Sequence, residues 1–218
     1  MEWKYHRLIT HEAIGEFFDP AGMQTIIKGN LSQDRPIKIL LHPYRHVDDG
    51  LFAAAETYIR QEREQAVSLM AQGRRRQALL CFGRLLHTRQ DFYAHSNWVA
   101  LWVTRHGGPE RNRPADVDIC TDPVAEEELR SGKAAIHWFI ACHLPLIGPW
   151  FAERAPADTH EAMNLDHPGR GPLFPFAVAA ATKHTRQEFG LFMADLGAAA
   201  GQEAVRQFLG QQIADHFF

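Results

Sequence analysis

The sequence lacks the features that would tie it to a membrane, an oxidising compartment or a nucleic acid. Its three cysteines are far apart and form no C-x-x-C pair, which favours free thiols over a disulfide framework. The apolar stretches are short and interrupted, so no segment is long enough to span a bilayer. The formal net charge is −3, which argues against a basic surface, and we expect no stable binding of nucleic acid.

The first residues, MEWKYH, contain no apolar core of signal-peptide length. We therefore expect a cytoplasmic protein. Export by a route that needs no signal peptide stays open.

Strand signals are nearly absent, because no segment alternates between apolar and polar residues and no Asn-Gly or Asp-Gly hairpin turn occurs. Apolar residues instead recur at helical spacing, which predicts an all-α protein with one helical domain over residues 1–218 and two long loops. The helices are expected at about residues 10–18, 23–28, 49–71, 76–98, 126–143, 146–155, 176–196 and 202–218.

What the sequence has in unusual number is histidine, with 13 residues. His87, Asp91 and His95 are spaced at i, i+4 and i+8 in a predicted helix, so their side chains follow one stripe of its surface. A carboxylate between two imidazoles can bridge two metal ions. The alternative is a helix with two core histidines and an aspartate that are satisfied by hydrogen bonds.

Three further polar segments could supply ligands. They are Thr10-His11-Glu12 at the start of the first helix, the run from His46 to Asp49 before the first long helix, and a loop from Asp158 to Asp166. Each has an ordinary alternative, namely a helix-surface histidine, acidic residues placed by the helix dipole, and a solvated loop.

The run from Leu86 to Val99, LHTRQDFYAHSNWV, resembles the signature of the Het-C-like family, which is similar to the zinc-dependent phospholipase C and single-strand nuclease superfamily. The segments ITHEAI, HVDDG and HEAMNLD resemble further elements of that family in the same order, so the resemblance covers about residues 8 to 190. It implies a helical bundle of the zinc-dependent phospholipase C type that hydrolyses phosphodiesters.

Carried over onto matching positions, the resemblance implies a set of metal ligands and two catalytic acids. Asp91 would bridge the ions, and Asp48, or Asp49 beside it, would orient or deprotonate the attacking water. The implied ligands are His11, His46, Asp48, His87, Asp91, His95, His160 and Asp166, of which His46 and Asp166 match less well.

Departures from the family pattern favour two zinc ions over three. Trp3 lies inside the terminus, whereas the secreted phospholipases bind metal through the amine of an N-terminal Trp. The residue four positions after His160 is Asn164, where a carboxylate is wanted, although Asp166 follows two residues later. Histidine and carboxylate ligands also suit Mn or Fe, so zinc itself rests on the resemblance.

The predicted function is therefore zinc-dependent hydrolysis of phosphodiesters by a phospholipase C-like enzyme. The expected substrate is a phospholipid or another phosphodiester, with transient contact to a membrane surface. The apolar segment 138–150 could line a lipid groove or simply pack as a helix, and Arg45 and Arg89 could meet phosphate or be solvated. The alternatives are a nuclease-like phosphodiesterase and a non-catalytic, metal-stabilised effector or recognition protein of the Het-C type.

Overall fold

The computed structural model describes residues 1–34, 41–133, 141–142, 144–152 and 154–210. Helices account for most of them, which confirms the all-α prediction. The α-helices are α1 (Trp3–Ile14), α2 (Pro20–Leu31), α3 (Phe52–Ala71), α4 (Arg75–His95), α5 (Trp98–Arg105), α6 (Gly148–Ala152), α7 (His160–Met163) and α8 (Phe174–Leu209). Short 3-10 helices cover Gly15–Phe17, Pro43–His46, Pro109–Arg111, Pro114–Asp116 and Pro168–Arg170. Within these ranges, β-type pairing is limited to isolated bridges at Ser96–Ser131 and Lys133–Thr159.

Helix α4 is the central element. It contacts α2, α3 and α8, and every residue from Leu85 to His95 is buried. A helix that is buried all round must lie inside the protein rather than on its surface. Polar side chains on this stretch therefore need partners inside the protein.

Two apolar clusters lie along α4. The first is built on tilted and edge-on aromatic rings of Phe82, Phe192 and Phe208. The second contains Phe92 and Tyr93 near the C-terminal end of α4. The polar residues from His87 to Asp91 occur in the sequence between these two apolar segments and His95 follows the second, so the helix carries a polar site inside an otherwise apolar interior.

The guanidinium of Arg89 lies in a buried ion cluster on this helix. Its Nη1 and Nη2 atoms donate to the two carboxylate oxygens of Glu56 at 2.5 and 2.9 Å, and its Nε donates to Glu188 at 2.9 Å. Arg89 is only 5% exposed. Since carboxylates already occupy this guanidinium, the expectation that Arg89 could meet a substrate phosphate is wrong.

Two predicted helices differ from the structure. The first begins at Trp3 instead of near residue 10, and the described part of the segment predicted at 126–143 contains no helix up to residue 133. The two predicted C-terminal helices both lie within α8, where Gly201 has a non-helical φ of 79° and separates them at a kink. Residues 134–140 and 211–218, which belong to predicted helices, lie outside the described residues.

No helix in the part of the chain described above is both long and apolar enough to cross a membrane.

Candidate metal centre

His87, Asp91 and His95 lie on one stripe of α4, as their spacing predicts, and all three are buried. The Nε2 atom of His87 is 2.9 Å from Oδ2 of Asp91, and the Nε2 atom of His95 is 3.8 Å from Oδ1 of Asp91. The two carboxylate oxygens of Asp91 thus face different imidazoles. Around each oxygen the fold gathers a separate group of nitrogen and oxygen donors.

The first group surrounds Oδ2 of Asp91. The Nδ1 atom of His46 lies 2.9 Å from this oxygen and 3.2 Å from Nε2 of His87. The carboxylate of Asp34 adds an oxygen 3.4 Å from Nε2 of His87. Zinc–nitrogen bonds of about 2.0–2.1 Å in a tetrahedral site place neighbouring ligand atoms roughly 3.3 Å apart, and these separations are close to that value.

His46 and Asp48 are brought inward by an unusual backbone turn. Val47 between them has a φ of 60°, a left-handed conformation that is costly for a β-branched residue. The 3-10 helix Pro43–His46 ends at this point. Both His46 and Asp48 are buried, so the strained turn serves to direct two polar side chains into the interior.

His6 on α1 also belongs to this region. Its Nε2 atom is 3.2 Å from Oδ1 of Asp91, and the side chain is fully buried. His6, Asp34, His87 and Asp91 each offer one ligand atom, and these atoms lie within 4.8 Å of one another. The first group therefore has donors from α1, α4 and the segments that follow α2.

The second group surrounds Oδ1 of Asp91. The amine of Met1 is 2.7 Å from this oxygen, 2.8 Å from Oδ1 of Asp166 and 3.0 Å from Nε2 of His95. The Nε2 atom of His95 is in turn 3.0 Å from Oδ1 of Asp166. Asp91 thus lies between two clusters of donors, as a bridging carboxylate would.

His160 extends the second group. Its Nδ1 atom is 3.0 Å from Oδ1 of Asp48, and its Nε2 atom is 3.7 Å from Oδ2 of Asp166. Asp48, His95 and His160 form a further set with ligand atoms within 4.8 Å of one another. Burial alone would lower the pKa of His160, but the charges of Asp48 and Asp166 outweigh burial and raise that pKa well above its usual value.

The donor atoms fit a divalent cation. The Nδ1–H of His95 donates to the backbone carbonyl of His46 at 2.7 Å, so the neutral ring presents the lone pair of Nε2 to Asp166. The Nε2 atom of His6, which faces Asp91, is buried and has no hydrogen-bond partner. Buried polar atoms without partners are costly, and a bound cation would satisfy them.

The electrostatics of the site set the charge that each donor carries without a metal. Burial would raise the pKa of Asp91 and Asp166, but the Met1 amine and nearby histidines overcome burial and hold both carboxyls ionised. Burial lowers the pKa of His87 to about 4, so its ring is neutral and able to act as a ligand. The same carboxylates raise the pKa of the Met1 amine to about 11, against the effect of burial.

A cavity of about 490 Å³ opens onto these groups. Asp34, His95, His160 and Asp166 line it, whereas Asp48 does not. Asp48 is 2% exposed and lies behind His160. A molecule in the cavity therefore meets His160 and not the carboxylate of Asp48.

Two of the predicted site residues are misplaced. His11 is exposed on α1 and makes no part of the cluster. His6 is the histidine of α1 that reaches Asp91, and the step of five positions from His6 to His11 corresponds to a rotation of about 140° around a helix. His11 therefore points to solvent because His6 points inward.

Asp49 is the second misplaced residue. It is exposed, has a φ of 59°, and lines a separate cleft with Gly50 and Lys133. The backbone amide of Asp49 donates to the carbonyl of Gly132 at 2.9 Å. Asp49 is thus outside the cluster, and the expectation that it orients a catalytic water is wrong.

Sequence reasoning missed three members of the cluster, namely Met1, His6 and Asp34. His6 had a detectable signal, because His6, Ile9 and Ala13 continue the apolar stripe of α1 toward the N-terminus. The amine of Met1 and the carboxylate of Asp34 had none, since both reach the site only through the tertiary fold. The structure brings together the other predicted ligands, His46, Asp48, His87, Asp91, His95, His160 and Asp166, and their binding of metal stays a prediction.

Comparison with known proteins changes the family assignment. A family model described as the VWA7 N-terminal domain matches residues 9–108, which include the whole of α4. No curated protein and no solved structure matches the chain. The expected membership of the Het-C-like family, and with it of the zinc-dependent phospholipase C and nuclease superfamily, is therefore wrong. Over residues 9–108 the chain is similar to the VWA7 N-terminal domain.

Proposed function

We propose that this protein is a metal-dependent hydrolase of phosphodiester bonds. The observation that carries the proposal is the position of Asp91, whose two carboxylate oxygens face two different groups of nitrogen and oxygen donors. Two ions bridged by one carboxylate are common in enzymes that cleave phosphoryl esters. The all-α bundle around α4 is the scaffold that this function would use.

The proposed ligands divide between two ions. His6, His46 and His87 would join Asp91 at the first, with Asp34 beside them, and His95, His160, Asp166 and the Met1 amine would join Asp91 at the second. Zinc, Mn or Fe held by such ligands supplies Lewis acidity for a phosphoryl oxygen and makes a coordinated water acidic at neutral pH. Imidazole, carboxylate and amine donors suit zinc, Mn and Fe alike, and zinc is the ion that we propose and test.

Asp34 is the proposed proton acceptor. Its side chain is 32% exposed and lines the cavity, while Asp91 is fully buried. Asp34 therefore combines access to a water in the cavity with a place beside His87. Asp48 is assigned a different role, since its carboxylate accepts a hydrogen bond from Nδ1 of His160 and fixes the direction of that ring.

A phospholipid is the substrate that the surroundings favour. Trp3 lines the cavity and is 59% exposed. Cys142 also lines the cavity, and the residues that follow it expose Leu144, Leu146, Ile147 and Trp150. Apolar surface on Trp3 and on the segment that follows Cys142 suits a molecule with a charged diester and an acyl chain, met at a membrane surface. Among the described residues, no comparable feature supports a nuclease-like activity.

Metal analysis combined with an activity panel tests this function. The full chain is expected to carry two zinc ions and to cleave a phosphocholine, phosphoethanolamine or nucleotide diester, and a chelator should abolish the cleavage. Asp91→Asn should lose both the ions and the activity, while exposed His11→Gln, as a matched control on the surface, should keep both. Full turnover after exhaustive metal removal would refute the proposal.

A non-catalytic, metal-stabilised protein is the second candidate. It is favoured by the complete burial of His6, His87 and Asp91, which is typical of closed structural sites. Asp34→Asn separates the two candidates. An enzyme should lose turnover while keeping most of its metal and stability, whereas a structural site has no turnover to lose.

A further inference from the structure

Gln90 on α4 lies at the centre of a buried hydrogen-bond network. Its Oε1 atom is 2.7 Å from Nδ1 of His6 and accepts from Nδ2 of Asn30 at 3.0 Å. Its Nε2 atom donates to the hydroxyls of Thr10 and Thr185 at 3.1 and 3.3 Å. The side chain is fully buried, so all four contacts are made without water.

The orientation of this amide is fixed by its neighbours. The hydroxyl of Thr10 donates to the backbone carbonyl of His6 at 2.7 Å, so its oxygen is left to accept from Gln90. An amide nitrogen therefore faces Thr10, and the amide oxygen faces His6. If the amide of Gln90 were reversed, its NH2 group would face the NH2 group of Asn30, and two donors would meet without an acceptor.

This orientation sets the proton position on His6. An amide oxygen can only accept, so Nδ1 of His6 must carry a proton. In the neutral ring the lone pair is then on Nε2, which lies 3.2 Å from Oδ1 of Asp91 and has no hydrogen-bond partner. Gln90 thus turns the metal-ligating lone pair of His6 toward the bridging carboxylate.

The same amide acts on His87 through one intermediate side chain. Because Nδ2 of Asn30 donates to Gln90, the Oδ1 atom of Asn30 is free to accept from Nδ1 of His87 at 3.2 Å. The lone pair of His87 is therefore also on Nε2, 2.9 Å from Oδ2 of Asp91. One side chain thereby sets the proton positions of two imidazoles that contact opposite oxygens of Asp91.

We propose that Gln90 is a positioning residue, which fixes His6 directly and His87 through Asn30 in the Nδ1–H form that presents both Nε2 atoms to the metals. The effect on metal affinity rests on the proposed function, but the effect on the proton positions does not. Groups that hold metal-ligating imidazoles in this way typically change metal affinity by about 10–100-fold when they are removed.

Three variants of the full chain test the role. Gln90→Leu removes the acceptor. Gln90→Glu keeps an acceptor toward His6 and Asn30, and the hydroxyls of Thr10 and Thr185 must both rotate to donate to its second oxygen. Thr185→Val removes a hydrogen bond of the same amide without touching its oxygen, so it controls for a general loss of packing. Two measurements are made, namely nitrogen-15 NMR of the histidine rings in metal-free protein and zinc affinity by competition with a chromophoric chelator.

In the wild type, Gln90→Glu and Thr185→Val, the NMR spectra should show a proton on Nδ1 of both His6 and His87, with zinc affinities that agree within a few-fold. In Gln90→Leu the Nδ1 proton of His6 should be lost, that of His87 should exchange faster, and the zinc affinity should fall about 10–100-fold. An unchanged Nδ1–H on His6 in Gln90→Leu would overturn the proposal, as would a fall in affinity matched by Thr185→Val. A wild type that shows the expected proton positions but takes up no zinc would refute the proposed function and leave the role of Gln90 intact.

Discussion

Gly83 on α4 faces the backbone carbonyl of Ile26 on α2 so closely that a Cβ atom at position 83 would lie 2.1 Å from that oxygen. One turn away, a Cβ atom at Gly29 on α2 would lie 2.4 Å from the carbonyl oxygen of Leu80 on α4. The two helices therefore touch backbone to backbone. This close approach places Asn30 within hydrogen-bond distance of His87.

Gly83→Ala should separate α2 from α4. Because the added methyl meets backbone atoms that cannot rotate away, we expect a loss of about 1–3 kcal/mol in the free energy of unfolding. The displacement of Asn30 should also weaken zinc binding. Urea unfolding and a zinc titration measure the two effects.

Gly190→Ala on α8 is the matched control, since no atom lies within 4 Å of its Cβ position, and it should raise stability by roughly 0.5–1 kcal/mol. A neutral Gly83→Ala would contradict the close packing.

His6 and His11 form a natural pair for testing the site. His6→Ala should lower zinc affinity at least about 10-fold, because it removes a donor directed at Asp91. His11→Ala should leave the affinity unchanged, since His11 is exposed on the other side of the same helix. Chelator competition measures the zinc affinity of the two variants. A larger loss of affinity in His11→Ala than in His6→Ala would restore His11 as the ligand that the sequence predicted.

The third test asks whether the positive charge on the Met1 amine stabilises the fold. A Gly-Ser extension replaces the ammonium with a neutral amide and leaves Asp91 and Asp166 without that partner. Removing one member of a buried ion pair costs about 3–5 kcal/mol, so the extended chain should be less stable by that order. Urea unfolding of metal-free protein gives the difference. A chain made with a cleavable leader and cut back to Met1 is the control, and equal stability of the two chains would show that the amine is not an essential partner.

The buried side chain of His184 should make the folded protein less stable in acid. Burial, together with Arg89 and Arg63, holds the pKa of His184 well below its usual value. Its Nδ1 atom accepts from the hydroxyl of Tyr93 at 2.6 Å, because that oxygen in turn accepts from the amide of Cys120.

The folded protein therefore keeps His184 neutral, while the unfolded chain takes up a proton below about pH 6.5. Stability should be unaffected above that pH and fall by up to about 1.4 kcal/mol per pH unit below it. His184→Gln should flatten this part of the pH profile relative to the wild type, and exposed His11→Gln should not. A wild-type profile identical to that of His184→Gln would contradict the prediction.

The features that depend on the local spacing of residues could be predicted from the sequence. The stripe of His87, Asp91 and His95 follows from one helical period, and the structure places them together. The long helices α3 and α4 were also predicted to within a few residues.

The wrong or missing site residues are those whose positions depend on the tertiary fold and not on local spacing in the sequence. His11 enters the predicted ligand set only through the resemblance of ITHEAI to a family element, whereas the packing of α1 turns His6 inward. Asp49 was chosen beside Asp48 because the sequence does not reveal that the chain turns sharply at Val47 and Asp49. Met1 and Asp34 join the cluster only through contacts distant in sequence, for which no local pattern exists.

The cluster around Asp91 joins residues 1 and 6 to residues 160 and 166, which follow much later in the chain. A ribosome must therefore have released residue 166 before these groups can meet. Under the proposed function, complete metal capture would wait until α7 and residue 166 have been made, and a chain truncated before α7 should fail to retain a second ion even if its first four helices have already formed.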